Sequence, residues 1–229
     1  MSGKDAKSFN NPIHEISTEL AQKASDACNE LINIKDIKPM SRATVPKGHE
    51  VKYLVVSKDG SASAHSSTLH VTSVDEAGNT NVKIAKSATK VRLASAPSKE
   101  SYGYILALEI LQSYLEATYH MFADKFEEYN AYIIGDSQTS LMALKGNTTD
   151  TALRAVFGKM QDLGVSLYNR FPKLRIKFIW LPAALNPADF NSKLHNNLND
   201  IVNADIWRFG PKQFADQEFL EDQTVGIIF

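Results

Sequence analysis

The sequence predicts an α/β domain whose mixed five-stranded sheet has three antiparallel and two parallel strands and is covered by helices. Beyond residue 47, three strand-like runs joined by short turns precede the first long helix, which is typical of an antiparallel meander. Two further strand-like runs are separated by helical segments, which indicates parallel crossovers. The chain has 229 residues, of which 43% are hydrophobic and 22% charged. This balance is that of an ordinary globular domain.

The meander is expected over residues 51–91. The first run is Val51–Val56, followed by Ser57-Lys-Asp-Gly60; the second covers about 66–74 and the third about 81–91. The segment between the last two, Asp75-Glu-Ala-Gly-Asn79, is rich in residues that favour turns. A short turn that contains glycine between two strands predicts a hairpin.

The second half alternates strands and helices. A long helix begins at Pro97-Ser-Lys-Glu100 and extends to about residue 123. The elements expected after it are a strand over 131–135, helices over 137–145 and 151–169, a strand over 175–181, and a helix after Asn186-Pro187. Strands separated in this way pair in parallel.

Three segments are predicted along the chain. Residues 1–46 form an N-terminal helix and connector, because apolar residues recur at three- and four-residue steps between Ile13 and Ile34. Residues 47–195 form the α/β domain, and residues 196–229 form a C-terminal extension.

Composition excludes several classes of protein. Lys and Arg number 25 against 26 Asp and Glu, a net charge of −1, so a nucleic acid must be bound by a local patch. The single cysteine, Cys28, excludes an intrachain disulfide and a cysteine zinc site. No apolar run approaches the roughly 20 residues of a membrane span, and the first residues are polar. A reducing cytoplasmic location without a membrane partner is expected.

Two aspartates follow predicted strands. Asp59 ends the first strand and Asp136 ends the fourth, and ligands of α/β sheets gather at the carboxyl ends of strands. Taken singly, each has an ordinary structural interpretation: Asp59-Gly60 is a turn, and Asp136-Ser137 is a helix cap.

Glu100 is the more informative acid. At about 100° per residue it lies on the face of the long helix that must pack on the sheet. That apolar stripe contains Tyr104, Leu108, Leu111 and Leu115. A carboxylate aimed there needs a cation to meet it. Glu109, about 180° away on the same helix, is expected to face solvent.

Asp189 completes the set of four acids. In Asn186-Pro-Ala-Asp189 the asparagine favours a helix cap and the proline a first turn, so Asp189 falls at the start of a helix. Taken alone, it complements the helix dipole. Together, the four acids supply the oxygen ligands that a pair of hard cations such as Mg²⁺ requires.

These motifs occur in a recognisable order. They are Ser73-Val-Asp-Glu-Ala-Gly-Asn79, Pro97-Ser-Lys-Glu100, Gly135-Asp-Ser137, Leu181-Pro-Ala-Ala-Leu-Asn-Pro-Ala-Asp189 and Trp207-Arg-Phe-Gly-Pro211. Residues 47–211 thereby resemble the ribonuclease H domain of retroelement polymerases, most like that of BEL/Pao-type LTR retrotransposons. In that family the corresponding strand ends in Thr-Asp-Ser, and the first aspartate follows Phe-Ala. Counting back from the hairpin turn without gaps aligns that aspartate with Asp59.

The resemblance implies a ribonuclease H-like fold and hydrolysis of the RNA strand of RNA–DNA hybrids. It implies two Mg²⁺ ions, for which Mn²⁺ substitutes, held by Asp59, Glu100, Asp136 and Asp189. Asp59 then bridges both ions, Asp189 holds the ion that activates water, and Glu100 and Asp136 complete the ion at the leaving 3′ oxygen. It further implies association with a reverse transcriptase domain and a place in the cytoplasm or in virus-like particles.

The chain departs from the family pattern near the first aspartate. Lys58 stands where the family has alanine, and it is expected either to pair with Asp59 or to face outward. His65 and its neighbours replace small and apolar residues, and Trp180 replaces a histidine. These changes leave all four acids in place but bring the catalytic rate into question.

Two basic groups are candidates for phosphate contact. The first is Arg170, Lys173, Arg175 and Lys177, and the second is Lys83, Lys86, Lys90 and Arg92. A solvated surface is the ordinary interpretation of either group.

Three other functions stay open. The chain is alternatively a non-catalytic module of the same fold, degenerate or domesticated, which binds nucleic acid or serves a structural role. An integrase or transposase would place its glutamate last rather than second. A small-molecule-binding α/β domain would leave Glu100 unexplained.

Overall fold

The computed structural model describes residues 22, 48–61, 64–91, 96–121, 124–146, 148–189 and 212–226. The chain divides into two compact units, 1–41 and 42–229, and the sheet with its helices belongs to the second. Apart from residue 22, the helix predicted between Ile13 and Ile34 lies outside the described residues, and so does the motif at 207–211. The three-segment division of the chain therefore stays a prediction.

The second unit is built on a six-stranded mixed sheet with the order β3-β2-β1-β4-β5-β6. Its strands are β1 Glu50–Gly60, β2 Ala64–Val74, β3 Thr80–Val91, β4 Tyr129–Gly135, β5 Leu174–Trp180 and β6 Thr224–Val225. β1, β2 and β3 pair antiparallel, whereas β4 pairs parallel with both β1 and β5. The predicted fold class, a ribonuclease H-like mixed sheet, is confirmed. The short β6 adds a sixth strand, antiparallel to β5.

Residues 187–189 are helical, where a helix is predicted after Asn186-Pro187, and four further α-helices accompany the sheet in the described residues. They are α1 Ala96–Thr118, α2 Gln138–Leu144, α3 Thr151–Arg170 and α4 Gln217–Asp222. The predicted positions of the first three are close to those observed. α1 ends earlier than predicted, because the chain tightens into a 3-10 turn over Tyr119–Met121. Of the described helices, none is both long and apolar enough to cross a membrane.

The two faces of the sheet carry separate apolar clusters. On one face Leu54 and Val56 of β1 belong to the cluster that includes Leu108 of α1. On the other face Val55 packs in a cluster with Phe214, near the C-terminus. Because side chains alternate along a strand, Lys58 continues the series of Leu54 and Val56 toward α1.

Residues 212–226 belong to the same layered structure as the sheet. The Tyr53 hydroxyl donates a hydrogen bond to the carbonyl of Phe214 over 2.8 Å, and the Thr72 hydroxyl donates to the same carbonyl over 3.1 Å. β6 then extends the sheet beside β5. The last part of the predicted C-terminal extension therefore covers the face opposite α1.

Candidate metal centre

Three of the four predicted acids converge at one end of the sheet. Asp59 lies in β1, Asp136 directly follows β4, and Asp189 lies in a helical turn after β5. One carboxylate oxygen from each lies within 4.8 Å of the others. β1 and β4 are parallel neighbours, so the ends that carry Asp59 and Asp136 adjoin. The arrangement is the one expected at the carboxyl edge of a parallel pair.

Asp189 is positioned by a turn that is tied to the sheet. The Asn186 side-chain amide donates to the carbonyl of Lys58 over 2.9 Å, and the Ser66 hydroxyl donates to the carbonyl of Ala188 over 2.8 Å. Asn186 also accepts a hydrogen bond from the Ala188 N–H through its side-chain oxygen, over 3.2 Å. This is the local cap that the Asn-Pro-Ala-Asp sequence predicted. The turn thus places Asp189 beside β1.

The main chain of Asp136 is anchored by its neighbours. The Trp180 indole N–H donates to the Asp136 carbonyl over 2.9 Å, and the next residue, Ser137, caps α2. The Asp136 Oδ1 atom is buried and has no hydrogen-bond partner among the described residues. Burial and the neighbouring Asp59 raise the pKa of Asp136, and Lys58 opposes them. An orphaned carboxylate oxygen facing other carboxylates fits a cation ligand.

Glu100 has the predicted helix phase but a different partner. The residues of its stripe, Tyr104, Leu108, Leu111 and Leu115, are fully buried. The Glu100 Oε2 atom lies 2.6 Å from Lys58 Nζ, and the side chains are 17% and 0% exposed respectively. Glu100 is not part of the three-acid cluster. Glu109 is exposed and pairs with Lys90 over 2.5 Å, as its opposite phase predicted.

Lys58 was expected to pair with Asp59 or to face outward, but its partner is Glu100. The side chain does not face outward: it is buried, and Nζ lies 4.3 Å from the centroid of the Tyr104 ring. Burial by itself lowers the pKa of Lys58, but the neighbouring Tyr104 and Glu100 outweigh it and raise the pKa above its ordinary value. These neighbours therefore favour the ammonium form of Lys58. The cation that the phase of Glu100 requires is supplied by the chain itself.

Two glycines make the space that Lys58 occupies. A Cβ atom added to Gly103 in α1 would lie 2.9 Å from Lys58 Cδ. One added to Gly135, the residue before Asp136, would overlap Lys58 Cε. Real Cβ atoms do not approach other atoms this closely, so a side chain at either glycine would force Lys58 to move.

The first basic group is mostly paired within the chain. Arg170 bridges to Glu116 over 2.5 Å, Arg175 to Glu128 over 3.0 Å, and Lys177 to Glu221 over 2.7 Å. Because Glu221 belongs to α4, Lys177 lies against the C-terminal segment. Each of these three cations is therefore compensated by a carboxylate from another element or loop.

The second basic group is partly paired in the same way. Lys90 pairs with Glu109, and Lys86 donates to the hydroxyl of Ser113. Arg92 lies outside the described residues. Within the described part of the chain, neither group is a wholly uncompensated positive patch.

Comparison with protein-family models gives no match for this chain, and comparison with curated proteins gives none either. Among solved structures, the chain is similar to LC11 ribonuclease H1 in complex with an RNA/DNA hybrid, at 22% identity and a TM-score of 0.41. The match covers 64% of this chain and 99% of that one. It is similar to ribonuclease H1 from the halophilic archaeon Halobacterium salinarum, at 21% identity and a TM-score of 0.37, covering 63% and 97%.

A third similar structure is the protease-reverse transcriptase of prototype foamy virus, at 14% identity and a TM-score of 0.33. The match covers 77% of this chain and 22% of that one. At these TM-scores the likeness supports no conclusion about activity. The fold assignment rests on the order and pairing of the six strands.

Proposed function

We propose that this chain is a metal-dependent ribonuclease H, which hydrolyses the RNA strand of RNA–DNA hybrids. The single observation that most supports this function is the convergence of Asp59, Asp136 and Asp189 at the ends of adjoining strands. The orphaned Asp136 Oδ1 atom makes the cluster a better fit to a cation than to a hydrogen-bonded network. The order of the sequence motifs supports the substrate class.

We propose Asp59, Asp136 and Asp189 as the metal ligands, with Mg²⁺ as the resident ion and Mn²⁺ as a substitute. All three offer carboxylate oxygens, which hard divalent cations prefer. A bound divalent ion supplies Lewis-acid stabilisation of the phosphate and lowers the pKa of a coordinated water. The resemblance implies a second ion that Glu100 helps to hold. The ion pair between Glu100 and Lys58 bears on this second ion, because the Lys58 ammonium already occupies one oxygen of the Glu100 carboxylate.

The reaction proposed is hydrolysis with in-line displacement. A water molecule loses a proton as its oxygen bonds to the phosphorus atom, the bond from phosphorus to the 3′ oxygen breaks, and the 3′ oxygen takes up a proton, so the proton count is unchanged. The products are a 5′-phosphate and a 3′-hydroxyl. Discrimination of RNA from DNA would come from minor-groove shape and contacts to the 2′-hydroxyl.

Phosphate contacts are proposed for Arg170, Lys173, Arg175 and Lys177. Since three of these pair with carboxylates of the chain, each phosphate contact must compete with an existing ion pair. The logarithm of hybrid affinity should still fall with the logarithm of salt concentration. Single substitutions that leave the salt slope unchanged throughout would exclude this group.

The direct test is incubation of the chain with a labelled RNA–DNA hybrid and Mg²⁺ or Mn²⁺. We expect cleavage of the RNA strand, no cleavage of duplex DNA, and loss of nearly all cleavage in Asp59→Asn and Asp136→Asn, because a neutral amide is a poor ligand for Mg²⁺. Wild-type cleavage in both variants would place the chemistry elsewhere.

One alternative has an observation in its favour. The pairing of Glu100 with Lys58 removes one of the four acids from the metal cluster, as expected of a non-catalytic module that has kept the fold. Such a module would bind the hybrid without cleaving it under either metal.

The ribonuclease H proposal has three further parts that rest on the sequence resemblance. They are origin in a retroelement polymerase, association with a reverse transcriptase domain, and a cytoplasmic location.

A further inference from the structure

We propose that the Lys58 ammonium takes the place of a second metal ion, so that the chain binds one divalent cation, at Asp59, Asp136 and Asp189. This inference rests on the proposed metal-dependent function and specifies its metal content. It assigns Glu100 to Lys58 rather than to a metal. The positive charge on that side of the site is then a covalent part of the protein.

The Lys58 ammonium lies against the carboxylate that a second metal ion would need. Lys58 Nζ is 2.6 Å from Glu100 Oε2, a short charge-assisted hydrogen bond. A metal ion on Glu100 would have to displace this ammonium from Oε2, or bind Oε1 beside it against the repulsion of the two positive charges. Displacement would leave Lys58, which is fully buried, with its charge and without that carboxylate partner, an arrangement that proteins avoid.

The fold accommodates the length and charge of the Lys58 side chain. Its stem runs between Gly103 of α1 and Gly135 of β4, and a Cβ atom at either position would collide with it. Its ammonium lies over the face of the Tyr104 ring, where the ring quadrupole attracts a cation. Four residues, three of α1 and one of β4, therefore match the length and charge of this side chain.

The charge balance of the site also favours one divalent ion. Asp59 directly follows Lys58 in β1 and lies close to Asp136, and a Cβ atom on Gly135, the residue before Asp136, would lie 3.1 Å from Lys58 Nζ. One ammonium beside Glu100 and one divalent ion among three aspartates give three positive charges against four negative ones. A second divalent ion would have to bind beside a fixed positive charge, which weakens it by Coulomb repulsion.

The inference is tested by counting Mn²⁺ ions on the full chain, with the electron paramagnetic resonance signal of free Mn²⁺ as the readout. We expect one ion per wild-type chain and one on Lys52→Met, the matched control, because Lys52 is an exposed lysine of the same strand. Lys58→Met keeps the length of the side chain but removes the charge, and it should bind two ions. The double variant Lys58→Met/Glu100→Gln should return to one.

Each other count contradicts the inference in a distinguishable way. Two ions on the wild type would overturn it and leave the proposed function standing. One ion on both wild type and Lys58→Met would show that Lys58 does not exclude a second. No ion on any variant would overturn the inference and the metal-dependent function together.

If Lys58→Met does not fold, the wild-type count and the dependence of the cleavage rate on Mn²⁺ concentration still decide. A reaction order in Mn²⁺ near one supports the inference, and an order near two overturns it.

Discussion

The side-chain amide of Asn186 donates a hydrogen bond to the main-chain carbonyl of Lys58 over 2.9 Å. This bond joins the segment that carries the last aspartate to the strand that carries the first. The residues are 128 positions apart in sequence, and both groups are buried. Asp189 is therefore oriented by Asn186, which ties its turn to β1.

Asn186→Ala should weaken the metal site without removing a carboxylate. The substitution leaves the Lys58 carbonyl and the Ala188 N–H without their side-chain partners. Loss of such buried hydrogen bonds costs about 1–3 kcal/mol of unfolding free energy, and Asp189 should lose its orientation. Denaturant unfolding and Mn²⁺ titration measure both effects. The exposed Asn169 is the control, since Asn169→Ala should change stability by less than about 0.5 kcal/mol. Unaltered Mn²⁺ affinity in Asn186→Ala would contradict this positioning role.

Glu100→Gln and Glu109→Gln should differ sharply. The first leaves the Lys58 ammonium buried without its carboxylate, which should cost about 3 kcal/mol of unfolding free energy. The second breaks an exposed pair with Lys90 and should cost less than about 1 kcal/mol. Chemical denaturation measures both.

The double variant Lys58→Met/Glu100→Gln should be more stable than Glu100→Gln alone, because it removes both charges of the buried pair. A double variant as unstable as the sum of its single changes would mean that the two residues do not interact.

Asp136→Asn should abolish hydrolysis yet leave the metal-free protein as stable as the wild type, or more so. The pKa of Asp136 is raised by burial and by Asp59, so the ionised carboxylate destabilises the fold once the pH exceeds that raised pKa. The stability of the variant should therefore exceed that of the wild type near neutral pH, and the difference should shrink as the pH falls through the raised pKa.

Thermal melts in EDTA and in about 10 mM Mg²⁺ test this prediction, the millimolar figure being an assumption about sites that keep water ligands. The wild type should gain roughly 2.7 kcal/mol at a hundredfold excess of metal over Kd, and Asp136→Asn should gain much less. Superimposed wild-type curves with and without metal would mean that the three acids do not form a shared site.

His70 should make the protein sensitive to acid, with a sign opposite to that of Asp136. Burial lowers the pKa of His70 from 6.5 to about 4. Between those values the unfolded chain binds a proton that the native state refuses, so stability falls as the pH drops, by on the order of 3 kcal/mol in total. His70→Leu should flatten this part of the profile, whereas His120→Leu, at an exposed position, should not. Equal slopes for all three proteins from pH 6.5 to pH 4 would refute the assignment.

Local sequence patterns predicted most of the fold. The alternation of strand-like runs and helical segments led to the meander, the parallel pair and the helices, because each pattern reports an apolar face with its own period. The phase of Glu100 was also predictable, since a 100° step per residue does not depend on tertiary contacts. The short β6 was not predicted, because two residues carry no period.

The role of Trp180 was likewise invisible in the sequence. Its indole donates to the Asp136 carbonyl, which depends on β4 and β5 being adjacent. The pairing of the basic group at 170–177 with acids from other elements was missed for the same reason. In sequence these residues form a run of positive charge, and only the fold brings the compensating carboxylates to them.

The sequence by itself determined the order of the elements and singled out the four acids as candidates, because periodicity and turn chemistry act over a few residues. Only the tertiary structure decided how the acids divide. Lys58 follows a run in which both sets of alternate residues are largely apolar, so the sequence does not show on which face of the sheet its side chain lies. That depends on which face α1 covers. The length of Lys58 fits only because Gly103 and Gly135, on other elements, leave space for it. The partner of Glu100 was thus set by packing between distant segments, and Glu100 does not belong to the cluster of three aspartates.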